Sequence, residues 1–462
     1  MKSDNILHWG MINAILLVVG KVASVISQLY VSKILSPVEF ANANLAISIL
    51  SIFVNFSSVS MIDAVPTMGR YRFDALQYIF PLAVLINSIL MIFLILSSFI
   101  FSSIYHSKEL IYLIIVSSIS LPLIAISTRP TCEQKLTLKF KRITFSTFIV
   151  NISSSVISII LVIMGFSSIS LILPLVVCQI IQIMIIYTPS NHGYKISDNK
   201  IIIFKKLIGT TSFYWLINFL ISIQLALPML ILGTKLDKNT LGYLIWGILL
   251  ATQFSYVASN SLRGMYMPKI SSIYSDNPKA GDDSIINLSM SLHAVFFPII
   301  LFQMLWLPRI IPFVFSNKWN SSIDIIEYMS AGQLLLCWNA ISFCLFSARA
   351  EYTRLLVLLL IQGILIIIAS VMSIVRPLSL DCLISSSFLI GGLMAMGFSV
   401  HRLKQYFKII VNHLRISLTA GFLIIPIFFF KSICIAIIAT LISSILYIII
   451  NKKYFHSING KI

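Results

Sequence analysis

Apolar blocks of about 18–25 residues recur from one end of this chain to the other, and they constrain its fold more than any other feature. Short polar stretches, holding most of the Lys and Arg, separate them. Each block is long enough to cross a hydrocarbon layer as a helix. In lipid, backbone polar groups must be satisfied within their own segment or around a closed barrel. Barrel strands would run about ten residues with alternating polarity, and no such alternation is present. Of 462 residues, 58% are hydrophobic and 10% charged; a soluble domain carries about 25% charged residues. The pattern predicts an all-α polytopic membrane protein of about 14 transmembrane helices. They fall at 6–33, 41–64, 76–101, 110–127, 143–164, 169–187, 207–232, 241–262, 285–307, 323–346, 355–374, 383–400, 416–430 and 433–450. The start, MKSDNILHWG, leads into a block too long for a cleavable signal peptide and without a small-residue cleavage site.

The formal charge of +18 would suggest a nucleic-acid partner in a soluble protein; here it reads as topology. With these spans, 24 of the 33 Lys and Arg fall on the side of the N-terminus, eight fall on the other side, and Lys21 lies inside the first helix. Positive residues stay cytoplasmic. Both termini are therefore expected in the cytoplasm of a bacterial inner membrane, with the lipid bilayer as the main partner and no nucleic acid. The six cysteines (Cys132, Cys178, Cys337, Cys344, Cys382, Cys434) show no CxxC spacing and there is no His cluster. They read as small apolar side chains, and no metal or other cofactor is expected. The loops are too short for a soluble catalytic domain.

The chain also echoes itself. SKILSPVEFANANLAISIL after the first helix matches LGTKLDKNTLGYLIWGILLA after the seventh, pairing Leu35 with Leu236, Phe40 with Leu241 and Ala41 with Gly242. ISTRPTCEQ likewise matches FSARAEYTR, pairing Arg129 with Arg349. Six helices separate the copies, so the two halves share an orientation, a transporter pattern with the site near midplane between the lobes. The expected domains are a six-helix lobe at 1–190, a second at 207–402, and an added helix pair at 415–451.

Several segments resemble one family. LSPVEFANANLAIS resembles the Leu-Gly-Pro turn after the first helix of polysaccharide exporters. TRPTCEQKLTLKFKRITF with MGFSSISLIL resembles their fourth-to-sixth helix region. LRGMYMPKISSIYSDNPKA, VFSNKWNSSIDIIEYMS and SARAEYTRL resemble the segments that follow in the same order. The chain departs from the pattern at Ser36, Ala41, Asn42 and Asn317, where glycine or another residue is usual. On these residues the chain is identified as similar to the O-antigen and polysaccharide flippases (Wzx type) of the multidrug/oligosaccharidyl-lipid/polysaccharide exporter superfamily. The resemblance implies two six-helix lobes around a central cavity. Its implied substrate is an undecaprenyl-pyrophosphate-linked oligosaccharide, passed from the cytoplasmic to the periplasmic leaflet. Its implied partners are a polysaccharide polymerase and a chain-length regulator.

An anionic headgroup needs cations inside the membrane. Lys21 lies near the middle of the first helix, where a charge costs at least about 2.5–3.5 kcal/mol and marks a pathway or a paired group. Asp63 and Glu327 are the nearest acids by depth. Arg129, Arg263 and Arg349 close helices 4, 8 and 10 and present the planar fork that grips phosphate, or else act as topological anchors. Asn13, Asn42, Asn44 and Asn55 concentrate in the first two helices, where they line a wet cavity or bond between helices. Aromatics such as Trp215, Trp246, Trp306 and Trp338 read chiefly as interfacial anchors. Pro81, Pro122, Pro174, Pro228 and Pro298 kink their helices, and His293 is a candidate for proton coupling. A multidrug exporter of the same superfamily, the competing function, needs a buried carboxylate to hold its cation; no Asp or Glu lies near the middle of a span. An enzyme would need a large outer loop or an acidic site, and neither is present.

Overall fold

The computed structural model describes residues 3–137, 140–187, 200–261, 270, 273–274, 277–315, 317–335, 337–375, 380–421 and 443–452. For residues 3–15, 17–18, 69–70, 140, 200, 254–261, 380, 406 and 408 it describes the backbone alone. The helices are α1 (Ser3–Ile34), α2 (Pro37–Phe56), α3 (Val59–Ala64), α4 (Leu76–Ile104), α5 (Glu109–Ser118), α6 (Ser120–Leu136), α7 (Phe140–Ile163), α8 (Ile169–Ile186), α9 (Lys200–Leu232), α10 (Lys238–Ser261), α11 (Pro278–Phe315), α12 (Ile323–Gln333), α13 (Cys337–Ala348), α14 (Tyr352–Val375), α15 (Leu380–Leu403) and α16 (Tyr406–Gly421). No strand occurs among the described residues. A further helical stretch covers 443–450. Ten spans among the described residues are long and apolar enough to cross a membrane. The α4 side chains Leu85, Ile92, Phe93, Leu96, Phe99 and Ile100 all stand exposed. Water would not tolerate so large an apolar face, whereas lipid does.

Most predicted spans coincide with helices, and the differences have local causes. The predicted span 41–64 begins earlier, at Pro37, because Ser36 is an N-cap. Its side chain accepts from the Glu39 backbone N–H, while the Glu39 carboxylate accepts from the Ser36 N–H at 2.8 Å. This capping box supplies the turn that glycine makes elsewhere. The same span breaks after Phe56, where Ser57 leaves helical geometry and α3 begins. The span 110–127 breaks between Ser118 and Ser120 and continues to Leu136. Pro122 lacks an N–H for the Ser118 carbonyl and its ring crowds that oxygen, so α5 ends there. Asn317, another departure from the family pattern, has φ 70°. Asparagine is the residue after glycine that best accepts that left-handed conformation. The predicted helix 416–430 is preceded by α16, which starts at Tyr406; residues 422–442 lie outside the described residues, as do Cys434 and most of the predicted helix 433–450.

The chain divides into two compact units, Met1–Ile245 and Trp246–Ile462. In the first, α1 packs along α7, α7 along α8, α4 against α5 and α6, and α2 against α5 and α9. The α1–α7 contact is close: a Cβ on Gly20 would stand 3.2 Å from Asn151 Nδ2, and Ser27 donates to the Ser155 carbonyl at 3.0 Å. A cluster of Met61, Val65, Met68, Leu76, Ile79, Cys132, Ile203 and Leu207 seats the 3₁₀ segment Val65–Tyr71 between α4, α6 and α9.

In the second unit, α11 packs on α12, α13 and α16, and α15 packs on α12, α13 and α14. Trp246 stacks on Trp319, ring centroids 4.6 Å apart, with Phe315 edge-on at 5.3 Å. Trp246, Trp306 and Trp338 are fully buried, so the expectation that they are interfacial anchors is corrected: they fill the interior. Polar side chains tie the helices across carbonyls. Gln303 donates to the Ala251 carbonyl at 2.9 Å and to Ser330 Oγ at 2.8 Å, and Gln362 donates to the Gly391 carbonyl and Asn339 Oδ1, both at 2.8 Å.

Candidate functional site

Lys21 sits in the middle stretch of α1, half-buried, one residue after the Gly20 contact with α7. One helical step turns it about 100° away from the α7 seam. Asp63, named above as one of the nearest acids by depth, pairs with Lys135 of α6 at 3.0 Å.

The asparagines of α2 fall into two groups. Asn42 is buried and donates to Glu109 Oε2 at 2.5 Å, while its oxygen accepts from Ser107 at 3.3 Å. It therefore pins the α4–α5 loop to the start of α2. Asn44, Ser48, Ser51 and Asn55 follow at i, i+4, i+7 and i+11, which puts them on one face. Asn44 and Ser48 are buried, and Ser51 and Asn55 are half-buried. Asn44 donates to the Phe40 carbonyl at 2.8 Å, Asn55 to the Ser51 carbonyl at 2.7 Å, and Ser48 to Met229 Sδ of α9 at 3.4 Å. The result is a polar stripe whose exposure grows toward the α2 C-terminus. Of the other sequence candidates, Asn13 lies in α1 with its side chain outside the described residues, and Arg263 lies outside them altogether.

The stripe ends at the Ser57–Ser58 break, held by a residue the sequence reading did not single out. Asn87 of α4 is fully buried; it accepts from the Ser58 N–H at 3.0 Å and donates to the Leu121 carbonyl at 2.8 Å. Ser58 Oγ lies 2.7 Å from Thr128 Oγ1 on α6. From α9, Trp215 Nε1 donates to the Ser57 carbonyl at 2.9 Å and Asn218 donates to Ser60 Oγ at 3.1 Å. An interrupted helix inside a membrane must have its freed backbone groups satisfied in this way. An isolated Asn in the apolar run LAVLINSIL carries no sequence signal for that role.

Arg129 lies in α6, half-buried, two residues before the Thr131–Cys132 stretch. Its repeat mate Arg349 ends α13 in a network of charges. Arg349 pairs with Asp282 of α11, which also accepts from the Tyr274 hydroxyl, and its guanidinium lies 5.2 Å from the Tyr274 ring. Glu351, two residues on, accepts from Arg402 of α15 at 2.6 and 2.8 Å and pairs with Arg354 at 2.8 Å. Gln405 donates to Asp283 at 3.2 Å. Ala350 between the two charges and Lys404 beyond Arg402 both have positive φ, 55° and 57°. The surrounding ion pairs hold non-glycine residues in a conformation that ordinarily costs about 1–2 kcal/mol. Arg349 thus binds the starts of α11 and α14 and the end of α15 together, and any phosphate it met would have to displace Asp282.

His293 lies deep in α11, where it meets His413 of α16 with ring centroids 4.6 Å apart. Among the described residues, no three His, Cys, Asp or Glu side chains gather to hold a metal ion.

The family model described as polysaccharide biosynthesis protein matches residues 30–324, from the end of α1 to the start of α12. The chain belongs to the polysaccharide biosynthesis protein family. No curated protein matches its sequence. Among solved structures, the lipid II flippase MurJ in an inward closed conformation is similar over 96% of this chain and 99% of its own, with TM-score 0.72 and 16% identity. An inward-facing multidrug resistance MATE family transporter of the MOP superfamily matches 86% of this chain and 99% of its own, with TM-score 0.64 and 12% identity. A MOP superfamily transporter from Pyrococcus furiosus, described by a reversed polarity of its binding pocket, matches 87% and 96%, with TM-score 0.61 and 10% identity. This polysaccharide biosynthesis protein therefore has the fold shared by the MurJ flippase and the MATE transporters.

The Arg349–Glu351 network of this family member also sets a pH dependence. Burial pushes the Glu351 carboxyl up, but the Arg402 hydrogen bond and the charges of Arg402, Arg354 and Arg349 outweigh it and hold the group below its ordinary 4.5. A carboxyl depressed on folding stabilises the protein fully above its unfolded value, and that contribution disappears as pH falls through the folded value. Melting temperature should therefore fall as the pH drops below about 4.5. Glu351→Gln should melt lower at neutral pH and lose less than wild type on acidification. Parallel pH curves for the two proteins would show that Glu351 does not carry this stability.

Proposed function

We propose that this protein is a flippase for lipid-linked oligosaccharide. It carries a surface-polysaccharide repeat unit on undecaprenyl pyrophosphate, such as an O-antigen or related glycan, from the cytoplasmic to the periplasmic leaflet of the inner membrane. Both termini are cytoplasmic, the mechanism is alternating access, and no reaction is catalysed. The proposed moving parts are the six-helix lobes 1–190 and 207–402, with 415–451 as an added pair. The observation that carries the reading is a lysine, Lys21, in the middle of α1 of a chain in which no Asp or Glu falls near the middle of a span expected from the sequence. A cation at midspan suits a pyrophosphate, while an organic cation would call for a carboxylate there. The family match and the MurJ-like fold support the same reading. The α2 stripe of Asn44, Ser48, Ser51 and Asn55 supplies hydrogen-bonding groups for sugars. Arg129, Arg263 and Arg349 are proposed to receive the pyrophosphate at the cytoplasmic face, and Asn13 to line the cavity. A polymerase and a chain-length regulator would consume the product.

Deletion of the gene in its host should strand undecaprenyl-linked repeat units on the cytoplasmic leaflet and remove the polymer from surface-polysaccharide gels, with wild type restoring both. Unchanged polymer together with new drug sensitivity would replace the flippase with the drug exporter.

A further inference from the structure

α11 and α16 are joined by a reciprocal pair of hydrogen bonds. His293 Nε2 on α11 lies 2.9 Å from Ser417 Oγ on α16, and His413 Nε2 on α16 lies 3.3 Å from Ser289 Oγ on α11. Each histidine thus meets a serine one turn from the other histidine. The imidazoles meet edge to face, interplanar angle 70°, and Trp338 of α13 lies 4.9 Å from the His413 ring. All three side chains are buried, 2%, 4% and 0% exposed. Yet among the described residues His293 Nδ1, His413 Nδ1 and Trp338 Nε1 have no hydrogen-bond partner. An unsatisfied buried polar atom costs about 1–3 kcal/mol; of these three, the two Nδ1 atoms are able to take up a proton, while the indole N–H is a donor only.

The surrounding groups narrow its chemistry. The titratable and charged residues on the packed elements are Lys279, Asp282, Asp283 and Arg309 of α11; Asp324, Glu327 and Tyr328 of α12; Cys337 and Cys344 of α13; Asp381, Cys382, His401 and Arg402 of α15; Tyr406, Lys408 and Arg415 of α16; and Tyr447 of the 443–450 helix. Asp282 and Asp283 stand about three turns from His293, Arg415 is exposed, and the Tyr447 hydroxyl donates to the Ala294 carbonyl at 2.8 Å. Among the described residues no third His, Cys, Asp or Glu joins the pair to make a metal site. A proton fits. A ring that uses Nε2–H toward its serine offers Nδ1 as a base; the imidazolium then meets a neutral imidazole and an indole face, both favourable neighbours for a cation. Two adjacent imidazoliums would repel.

We propose that His293 and His413 form a binding site for a single proton, whose occupancy is linked to the packing of α16 on α11 and α13. That this proton is the coupling ion rests on the flippase reading; that it binds does not. The test uses the full chain in lipid nanodiscs and in proteoliposomes. An imidazolium beside Trp338 quenches indole emission, so acidification should quench part of the tryptophan fluorescence. Trp338→Phe should remove the quench, as should His293→Gln and His413→Gln, whose amides keep a bond to the serines. Ser289→Ala and Ser417→Ala keep both rings and should shift the midpoint. Were a Gln variant to misfold, these two would still decide the matter. A quench unchanged in the Gln variants, or a midpoint unmoved in both Ala variants, would overturn the site. In proteoliposomes an imposed pH gradient should accelerate wild-type lipid-linked sugar transfer several-fold and leave His293→Gln unaffected. An equal response of both proteins would overturn the coupling role. Quenching intact while wild type transfers no lipid-linked sugar would uphold the proton site and count against the flippase reading alone.

Discussion

Gly242→Val is expected to cut lipid-linked sugar transfer by about tenfold or more and to destabilise the protein by about 1–3 kcal/mol, the range for side chains forced into filled space. A Cβ at this position would stand 2.2 Å from the Pro37 carbonyl oxygen and 2.7 Å from its carbon. These are backbone atoms, so no side chain can swing aside, and the starts of α2 and α10 would have to separate. Neither is free to shift. The Ser36–Glu39 capping box fixes the first, and the Thr240 N–H on Asp237 Oδ2 at 3.0 Å fixes the second. The neighbouring turn is as tight: the Tyr105 hydroxyl donates to the Leu230 carbonyl at 3.0 Å, and a Cβ on Gly233 would stand 3.0 Å from the Tyr105 ring. Gly242 and Pro37 belong to the two matched turns of the internal repeat. On the proposed alternating-access reading their contact closes one end of the pathway, and a wedge there would hold that end open. Gly209→Ala and Gly363→Ala, where a Cβ meets nothing within 4 Å, serve as controls. Alanine in a helix gains up to about 1 kcal/mol over glycine, so both should be neutral or stabilising. Transfer in proteoliposomes and melting temperature are the measurements. Activity of Gly242→Val equal to that of the controls would show that the turns need not meet.

Lys21→Ala should abolish complementation in a deletion strain while the protein accumulates to its usual level, a loss of at least about tenfold, or 1.4 kcal/mol. Lys21→Arg keeps a charge but exchanges a compact ammonium for a planar fork, so it should retain part of the activity. Lys21→Gln, polar but neutral, should behave as alanine does. A lysine with only a structural pairing role would give a different result: its removal would lower protein level and melting temperature together and leave the specific activity of the surviving protein near wild type. That outcome would take Lys21 out of the pathway.

Periodicity and length were enough to place the spans, because a bilayer admits few backbone solutions and each span carries the signal in its own residues. Helix ends were less legible where a cap or a proline decides them. Ser36 moves α2 to Pro37, and Pro122 stops α5 at Ser118, each through one local hydrogen bond made or lost. The internal repeat was visible in sequence, and the structure gave it a contact, Gly242 on Pro37, at which two distant segments meet.

Side-chain roles were much less legible. Asn42, Asn44 and Asn55 looked alike in the sequence, yet one pins a loop and the other two belong to a stripe along α2. Arg349 was read as a phosphate grip or an anchor; its partner Asp282 lies far away in the chain. Asn87 and His413 gave no signal, since a polar residue in an apolar run means nothing until its neighbours are known. The sequence by itself determined that this chain crosses a membrane as helices, where most of those helices fall, and the bias of its charges. Only the tertiary structure decided which polar groups face one another, because helix periodicity fixes the direction of a side chain about its own axis but not which helix stands opposite.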